Sequence, residues 1–399
     1  MRNVAVITLN VSAGMMMLVA VGINSSALFL MATAMIATLF VCRIQAWASV
    51  RGLRFERLAP PTVSAGELVT VELAVWSDHP LRRPLVSVVD RLPEGLPIAD
   101  LTPSLPIAPV QKEMVRTQYR FRPLRRGTFR WNTLSVAGWD ALGLANTVRT
   151  YQTDEAEMTV LPTPIPVDIQ VPRPAGWGPL ESDFGKSRGA GIEPRGVREY
   201  APGDSLRFVH WRSTARTGRL LVKEFETGSH GQAAFLLQRT AGTDLKTSDR
   251  SSLDRACGHV AFIAGELMRQ GTEVVLPLQM RGRPTGSIHV RCRAVLTALA
   301  RISADQPRTL GEDLLACRSE LLPGTTVYAC LSVADDTLPH AVASLYGKGI
   351  QVVALLYDPG EFTSRRARKA IESPIDPAYM AKLRQAGVKP IVMPSGGHA

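Results

Sequence analysis

The first pattern along the chain is a run without charge: from Asn3 to Cys42, 40 consecutive positions hold no Asp, Glu, Lys, Arg or His. A bilayer core of about 30 Å takes roughly 20 helical residues, so the run is too long for one span and fits two. Its one polar cluster, Gly22-Ile23-Asn24-Ser25-Ser26, predicts a break between helices over Val4–Val21 and Ala27–Trp47. Arg43 can snorkel to the interface and Trp47 can sit in the aromatic belt, while Met15-Met16-Met17 reads as lipid-facing filler. Arg2 flanks one side, Arg43, Arg51, Arg54 and Arg57 the other, and the turn between is uncharged. The expected topology is therefore a two-pass plasma-membrane protein with both termini and the bulk of the chain cytoplasmic. A signal peptide cleaved near Ser25-Ser26-Ala27 is the competing reading; it leaves Ala27–Val41 as an anchor.

From Phe55 to Leu161 the period becomes two. Val69, Val71, Leu73 and Val75 alternate with Thr70, Glu72 and Ala74, and Val115, Thr117, Tyr119 and Phe121 alternate with Arg116, Gln118 and Arg120. Turn residues at Ser64-Ala65-Gly66, Asp78-His79-Pro80, Leu92-Pro93-Glu94-Gly95 and Arg126-Gly127 separate such runs, predicting an all-β, antiparallel sandwich over 55–161. Pro162, Pro164, Pro166, Pro172, Pro174 and Pro179 mark 162–190 as a semi-rigid connector. Beyond the segment 191–231, apolar runs at Ala233–Leu237, Glu273–Leu278, Thr326–Val333, Ile350–Tyr357 and Val388–Met393 read as strands covered on both faces. Ser252–Gln270 carries an i, i+3, i+4, i+7 stripe and ends at Gly271, a helix-stop signal. Residues 232–399 thus read as a doubly wound α/β domain.

The 399 residues carry a net charge of +11 and are 45% hydrophobic, which excludes general disorder and a single small module. The five cysteines, Cys42, Cys257, Cys292, Cys317 and Cys330, suit neither a disulfide framework nor a zinc knuckle. The histidines are equally scattered, so no structural transition-metal site is expected.

Chemistry concentrates between Lys186 and Lys223, where nine basic residues face three acidic ones. Pro202-Gly203-Asp204 signals a turn. Arg207, Arg212, Arg216 and Arg219 offer guanidinium forks to carboxylates or phosphates, and Trp211 offers a flat apolar surface. Internal pairing with Glu193, Glu199 and Asp204 accounts for part of this charge; an acidic partner surface would take up the excess. His210 beside Glu199 and Asp204 is the candidate for a hydrolytic general-base cluster, against a structural histidine next to Trp211. Gly185-Lys186-Ser187 lacks the rest of a phosphate loop, since position 180 is Leu, and Arg365-Arg366-Arg368-Lys369 reads as a solvated or lipid-facing cluster. Without aromatic interleaving, nucleic acid is not the expected partner.

This segment resembles bacterial membrane proteins containing the domain of unknown function 58. The matching positions are Arg198-Glu199-Tyr200, Pro202-Gly203-Asp204, Arg207, His210-Trp211-Arg212, Ala215-Arg216, Gly218 and Leu220, with Glu193 just upstream. Pro123-Leu124-Arg125-Arg126-Gly127 and Asp140-Ala141-Leu142-Gly143-Leu144 are similar as well. The resemblance implies a domain like von Willebrand factor A and a MoxR-type AAA+ ATPase as partner, with no cofactor. In an A domain a metal site would need Asp-x-Ser-x-Ser after the first strand. The corresponding loop is Gln238-Arg239-Thr240-Ala241-Gly242, in which Gln238 and Thr240 stand at ligand positions, and Asp335 and Asp336 fall just past the expected later acid. No metal, no small-molecule substrate and no catalytic residue are therefore expected. The reading is a membrane-anchored, non-enzymatic adaptor, with a hydrolase using His210, Asp204 and Glu199 as the alternative.

Overall fold

A computed structural model describes residues 2–78, 86–93, 96, 104–107, 113–167, 194–200, 209–225, 231–247, 251–280, 285–345, 349–364 and 371–394. The chain divides into two compact units, Met1–Leu161 and Pro162–Ala399.

The first unit opens with helices α1 (Arg2–Gly22) and α2 (Ser26–Ser49), each longer than the apolar pattern alone marks. Asn24 makes the turn between them at φ 56°, a left-handed value that asparagine tolerates. The helices pack against each other, and Ala13, Ala20 and Ala32 are buried, small enough to let two helices approach closely. Large apolar side chains such as Ile7, Met15, Leu18, Phe29, Leu30 and Phe40 face outward. By length and composition α2 meets the requirement for a membrane span, which an N-terminal signal sequence also meets.

Two sheets follow. One has strand order β1-β3-β6 (Leu53–Leu58, Val69–Ser77, Val115–Phe121). The other has order β2-β8-β7-β4-β5 (Thr62–Ser64, Asn146–Leu161, Gly127–Trp139, Val86–Asp90, Ser104–Ile107). Inward residues of both build shared cores, one around Leu73, Val75, Val86, Val88 and Leu134, another around Val71, Phe121, Trp131, Met158 and Val160. The alternation read from Val69–Val75 is the observed in–out pattern of β3, with its even positions outward until Ala74. The sandwich is not wholly antiparallel: β2 runs parallel to β8. Pro60-Pro61 ends β1 and passes the chain to the other sheet, where Thr159 N–H donates to Pro61 O at 2.9 Å and Ala65 N–H to Leu161 O at 2.9 Å.

Arg57, taken from sequence as a flanking cation, belongs to this core. Its side chain is 1% exposed and that of Asp90 0%. Arg57 Nε and Nη2 donate to the two Asp90 oxygens at 2.9 and 2.8 Å, and Nη1 donates to Trp131 O and Thr153 Oγ1. Tyr119 OH donates to Asp90 Oδ2 at 2.5 Å, and burial together with the adjacent carboxylate pushes its phenol pKa up. Both charges are thus paired and hydrogen-bonded, the condition under which burial is tolerated.

The second unit holds an all-parallel sheet of order β12-β11-β13-β14-β15 (Glu273–Val275, Gln232–Leu237, Thr326–Leu331, Gln351–Leu356, Lys389–Val392). In chain order this is 2-1-3-4-5, a doubly wound arrangement with its switch point between β11 and β13. Alternate residues of the central strands face opposite cores. Phe235, Leu237, Tyr328, Cys330 and Leu355 meet α4 (Ser252–Arg269) and α5 (Ile288–Ala300). Leu236, Val327, Ala329, Leu331 and Leu356 meet α6 (Leu310–Ala316), α7 (Thr337–Ala343) and α8 (Pro377–Gln385). Helix α4 ends where the glycine signal placed it: Gly271 adopts φ 85°, and the Gly271 and Thr272 amides donate back to Met268 O and Leu267 O. The apolar run at 273–278 forms a strand only to Val275, because β12 is an edge strand paired over three residues of β11. Residues 168–190 of the connector, including Gly185-Lys186-Ser187, and the cluster 365–369 lie outside the described residues, as do His79, Pro80, Glu94 and Gly95.

Arg57→Leu leaves Asp90 buried without its counter-ion, a loss of about 3–5 kcal/mol. It is measured as a lower midpoint in denaturant for the detergent-solubilised chain. His259 in α4 is buried, stacked on Tyr357 with Nδ1 3.2 Å from its hydroxyl. Burial, and then the positive charge of Arg255, hold its pKa down to about 4, below the 6.5 of an unfolded histidine. The folded state therefore binds fewer protons between these values. His259 contributes full stability above pH 6.5 and loses on the order of 3 kcal/mol as pH falls through this window. Melting temperature against pH should show this slope, and His259→Gln should flatten it.

Candidate functional site

Two places in the second unit carry the residues singled out by sequence. The first is a hairpin in which β9 (Pro194–Glu199) pairs antiparallel with β10 (Leu221–Phe225), Arg198 opposite Val222 and Glu199 opposite Leu221. Between them α3 (Trp211–Thr217) folds back on β10. Tyr200 N–H donates to Leu220 O at 2.9 Å, and His210 N–H to Leu221 O at 2.8 Å. Thr214 Oγ1 accepts from Leu221 N–H at 3.0 Å, pinning the helix across the strand. Gly218 closes the helix at φ 69°, its N–H donating to Thr214 O.

His210 is the N-cap of α3. Its Nδ1 accepts the Ser213 amide proton at 3.1 Å and so holds the helix start. Glu199 pairs with Arg219 at 2.8 Å, both side chains exposed. Of the proposed hydrolytic cluster, therefore, two members have structural partners, and Asp204 lies outside the described residues, as do Glu193, Pro202, Gly203 and Arg207.

No residue of α3 is buried. Val209 and Val222 fill the space beneath the hairpin, while Trp211, Arg212, Ala215 and Arg216 are exposed. Positions 211 and 215, and 212 and 216, are i, i+4 pairs, so they form one outward face. Trp211 is 64% exposed, with Leu220 exposed nearby in sequence. Among the described residues neither Arg212 nor Arg216 has a carboxylate partner. A basic face without a carboxylate partner among the described residues, centred on a solvent-exposed indole, has the composition of an interface core.

The second place is the C-terminal end of the parallel sheet at its switch point, where doubly wound folds hold ligands. Here the polar groups are turned on one another. Gln238 Oε1 accepts the Ser332 and Val333 amides at 3.0 and 3.1 Å, and Nε2 donates to Val333 O at 3.0 Å, so one side chain ties the loops after β11 and β13 together. Thr240 Oγ1 donates to Arg308 O at 2.8 Å. Arg239 pairs with the buried Asp313 at 2.9 Å. Asp335 takes the Leu310 and Gly311 amides on Oδ2 and the Thr337 amide and hydroxyl on Oδ1, capping α6 and starting α7. Gly311 is required where these helices meet: a Cβ there would lie 2.4 Å from Thr337 Oγ1 and 2.5 Å from Thr337 backbone carbon. Among the described residues no three His, Cys, Asp or Glu side chains gather to hold a metal.

Sequence reading missed Asp313 as the partner of Arg239 and Asp335 as a helix cap. One local signal was present: Thr309 and Glu312 form a capping box that marks the start of α6.

Among curated proteins, none matches this chain. Among the solved structures similar to this chain, three each cover 27% of it. The CARDB domain of a Pyrococcus furiosus protein, crystallised with di-metal ions, is 18% identical over 91% of that chain, with a TM-score of 0.19. A solution structure of the same domain is 18% identical over 94% of that chain, with a TM-score of 0.20. The PKD domain of an M14-like peptidase from a Thermoplasmatales archaeon is 12% identical over 91% of that chain, with a TM-score of 0.17. Residues 196–360, which run from the hairpin of β9 and β10 through β14, match the model of a family described as protein of unknown function DUF58.

Proposed function

We propose that this protein is a membrane-anchored, non-enzymatic adaptor. In this reading α1 and α2 cross the plasma membrane, both termini and the bulk of the chain lie in the cytoplasm, and the parallel-sheet unit is a domain like von Willebrand factor A. The exposed face of α3 docks a MoxR-type AAA+ ATPase. The observation that carries the proposal is that face: Trp211, Arg212 and Arg216 are exposed on a helix fixed to its strand by Thr214 and His210. A rigid, positively charged surface with a central aromatic residue suits an acidic protein partner. The outward apolar side chains of α1 and α2 support the membrane reading, because water would not tolerate them and lipid would.

The non-enzymatic half is supported by what the polar groups at the sheet end do. Gln238 and Asp335 spend their acceptors on backbone amides, and Arg239 pairs with Asp313. The hydrolase alternative is not favoured, because His210 and Glu199 serve as a cap and an ion-pair partner.

Three measurements test this. Recovery of the ATPase with this protein from gently crosslinked native membranes should fall at least about tenfold in Arg212→Glu/Arg216→Glu, with melting temperature retained; unchanged recovery counts against docking. Gln238→Ala strands the Ser332 and Val333 amides and should cost about 2–4 kcal/mol of stability. Millimolar Mg²⁺ should leave the melting temperature of the unsubstituted chain unchanged, and a rise of several degrees would restore a metal role to this loop.

A further inference from the structure

The hairpin of β7 and β8 turns at Asp140–Ala145, and this turn rests on α2. Ala141 N–H donates to Gln45 Oε1 at 3.2 Å. The Asp140 carboxylate accepts the Leu142 and Ala145 amides at 2.9 and 2.6 Å, and the buried Cys42 of α2 lies beside it. Burial raises the Asp140 pKa, and these hydrogen bonds outweigh it, holding the group below its ordinary value as a carboxylate. Just before the turn, Gly138 lies so close to the helix end that a Cβ would come within 2.0 Å of Ser49 Oγ and 2.6 Å of Val50 Cγ1. Tyr151 OH donates to Val50 O.

These contacts fix the height of the turn along α2. Gln45 and Cys42 precede Ser49 by four and seven residues, about 6 and 10 Å at 1.5 Å per residue. Cys42 is also the last position of the uncharged run. The turn therefore sits where that run gives way to Arg43, the level of the boundary between acyl chains and headgroups in a spanning helix. At that level the turn hides its acid and shows its leucine: Asp140 is 4% exposed and Leu142 65%. Arg43, next to Cys42 on α2, is exposed at this level, and Trp47, about 8 Å beyond Cys42 along the helix, has Arg51 stacked over its ring at 3.7 Å. Cations and an aromatic ring over this short range suit the headgroup layer.

We propose that the Asp140–Ala145 turn is a second membrane contact of this protein, with Leu142 entering the lipid surface beside α2. The contact rests on the reading of α2 as a membrane span. It fastens the sandwich to the bilayer at a point about 90 residues beyond the helix.

The test places an environment-sensitive fluorophore (NBD) on one introduced cysteine at a time in the full chain, in a Cys292→Ala background whose four remaining cysteines are buried, reconstituted into phosphatidylcholine and phosphatidylglycerol vesicles. Leu142→Cys is the reporter. Ile36→Cys, midway along α2, reports the span, and Leu124→Cys, exposed about 40 Å away at the far end of β7, reports water. At position 142 we expect quenching by lipid carrying a nitroxide near the headgroup, and quenching by aqueous iodide about threefold or more weaker than at 124. If 36 is quenched by lipid while 142 behaves like 124, the span stands and the contact is overturned. If 36 is quenched by iodide, the span itself fails and the contact with it. Protection of 142 from both quenchers shows a protein cover and also overturns the proposal.

Discussion

Only Val50, Arg51 and Gly52 separate the end of α2 from the start of β1. Ser49 and Val50 are buried, and Val50 joins Leu53, Val75 and Val86 in the sandwich core. The last turn of the helix is thus part of the β domain. Close approach at Gly138 and the Tyr151 bond to Val50 O remove the remaining freedom. A helix continuous with a packed core cannot tilt independently of it, so whatever surface α2 meets also sets the orientation of the sandwich.

The second unit follows a different economy of polar groups. Its central strands β11, β13 and β14 are buried on both faces, while the edge strands β12 and β15 are only partly covered, leaving loops at the sheet ends as the places where polar side chains can gather. At the switch point Gln238, Arg239 and Asp335 fasten β11, β13, α6 and α7 to one another, while Asp313 keeps one oxygen without a hydrogen bond among the described residues. The hairpin of β9 and β10 instead uses a threonine, a histidine cap and a left-handed glycine to present an exposed tryptophan and two arginines. The same physical argument applies to both: a hydrogen bond satisfied internally is unavailable to a ligand, and a charge left outside is available to a partner.

Much of this was legible locally. The uncharged run, the in–out alternation of β3 and the continuously apolar strands follow from period and burial, and Gly271 marked the end of α4 through its left-handed φ. What sequence could not supply was pairing between distant residues. Arg57 looked like an interfacial cation because its neighbours in sequence are arginines; its true environment is set by Asp90, Tyr119, Trp131 and Thr153, 33 to 96 residues away. The parallel pairing of β2 with β8 joins residues nearly 100 positions apart. In the candidate site, His210 beside Glu199 could be read as catalytic because spacing alone does not tell a cap from a base. The structure shows His210 Nδ1 in a capping bond to the Ser213 amide. Gln238 was legible as a departure from a metal ligand, whereas its role as a bridge between two loops needed the register of β11 against β13.

The proposed adaptor role puts the partner on the α3 face. A photo-crosslinking amino acid at Trp211 in the full chain, irradiated in native membranes, tests it most directly, with the exposed Val290 on α5 as the control position. One AAA+ ATPase subunit should be joined from position 211 and not from 290. No adduct at 211, or the same adducts from both positions, would contradict it.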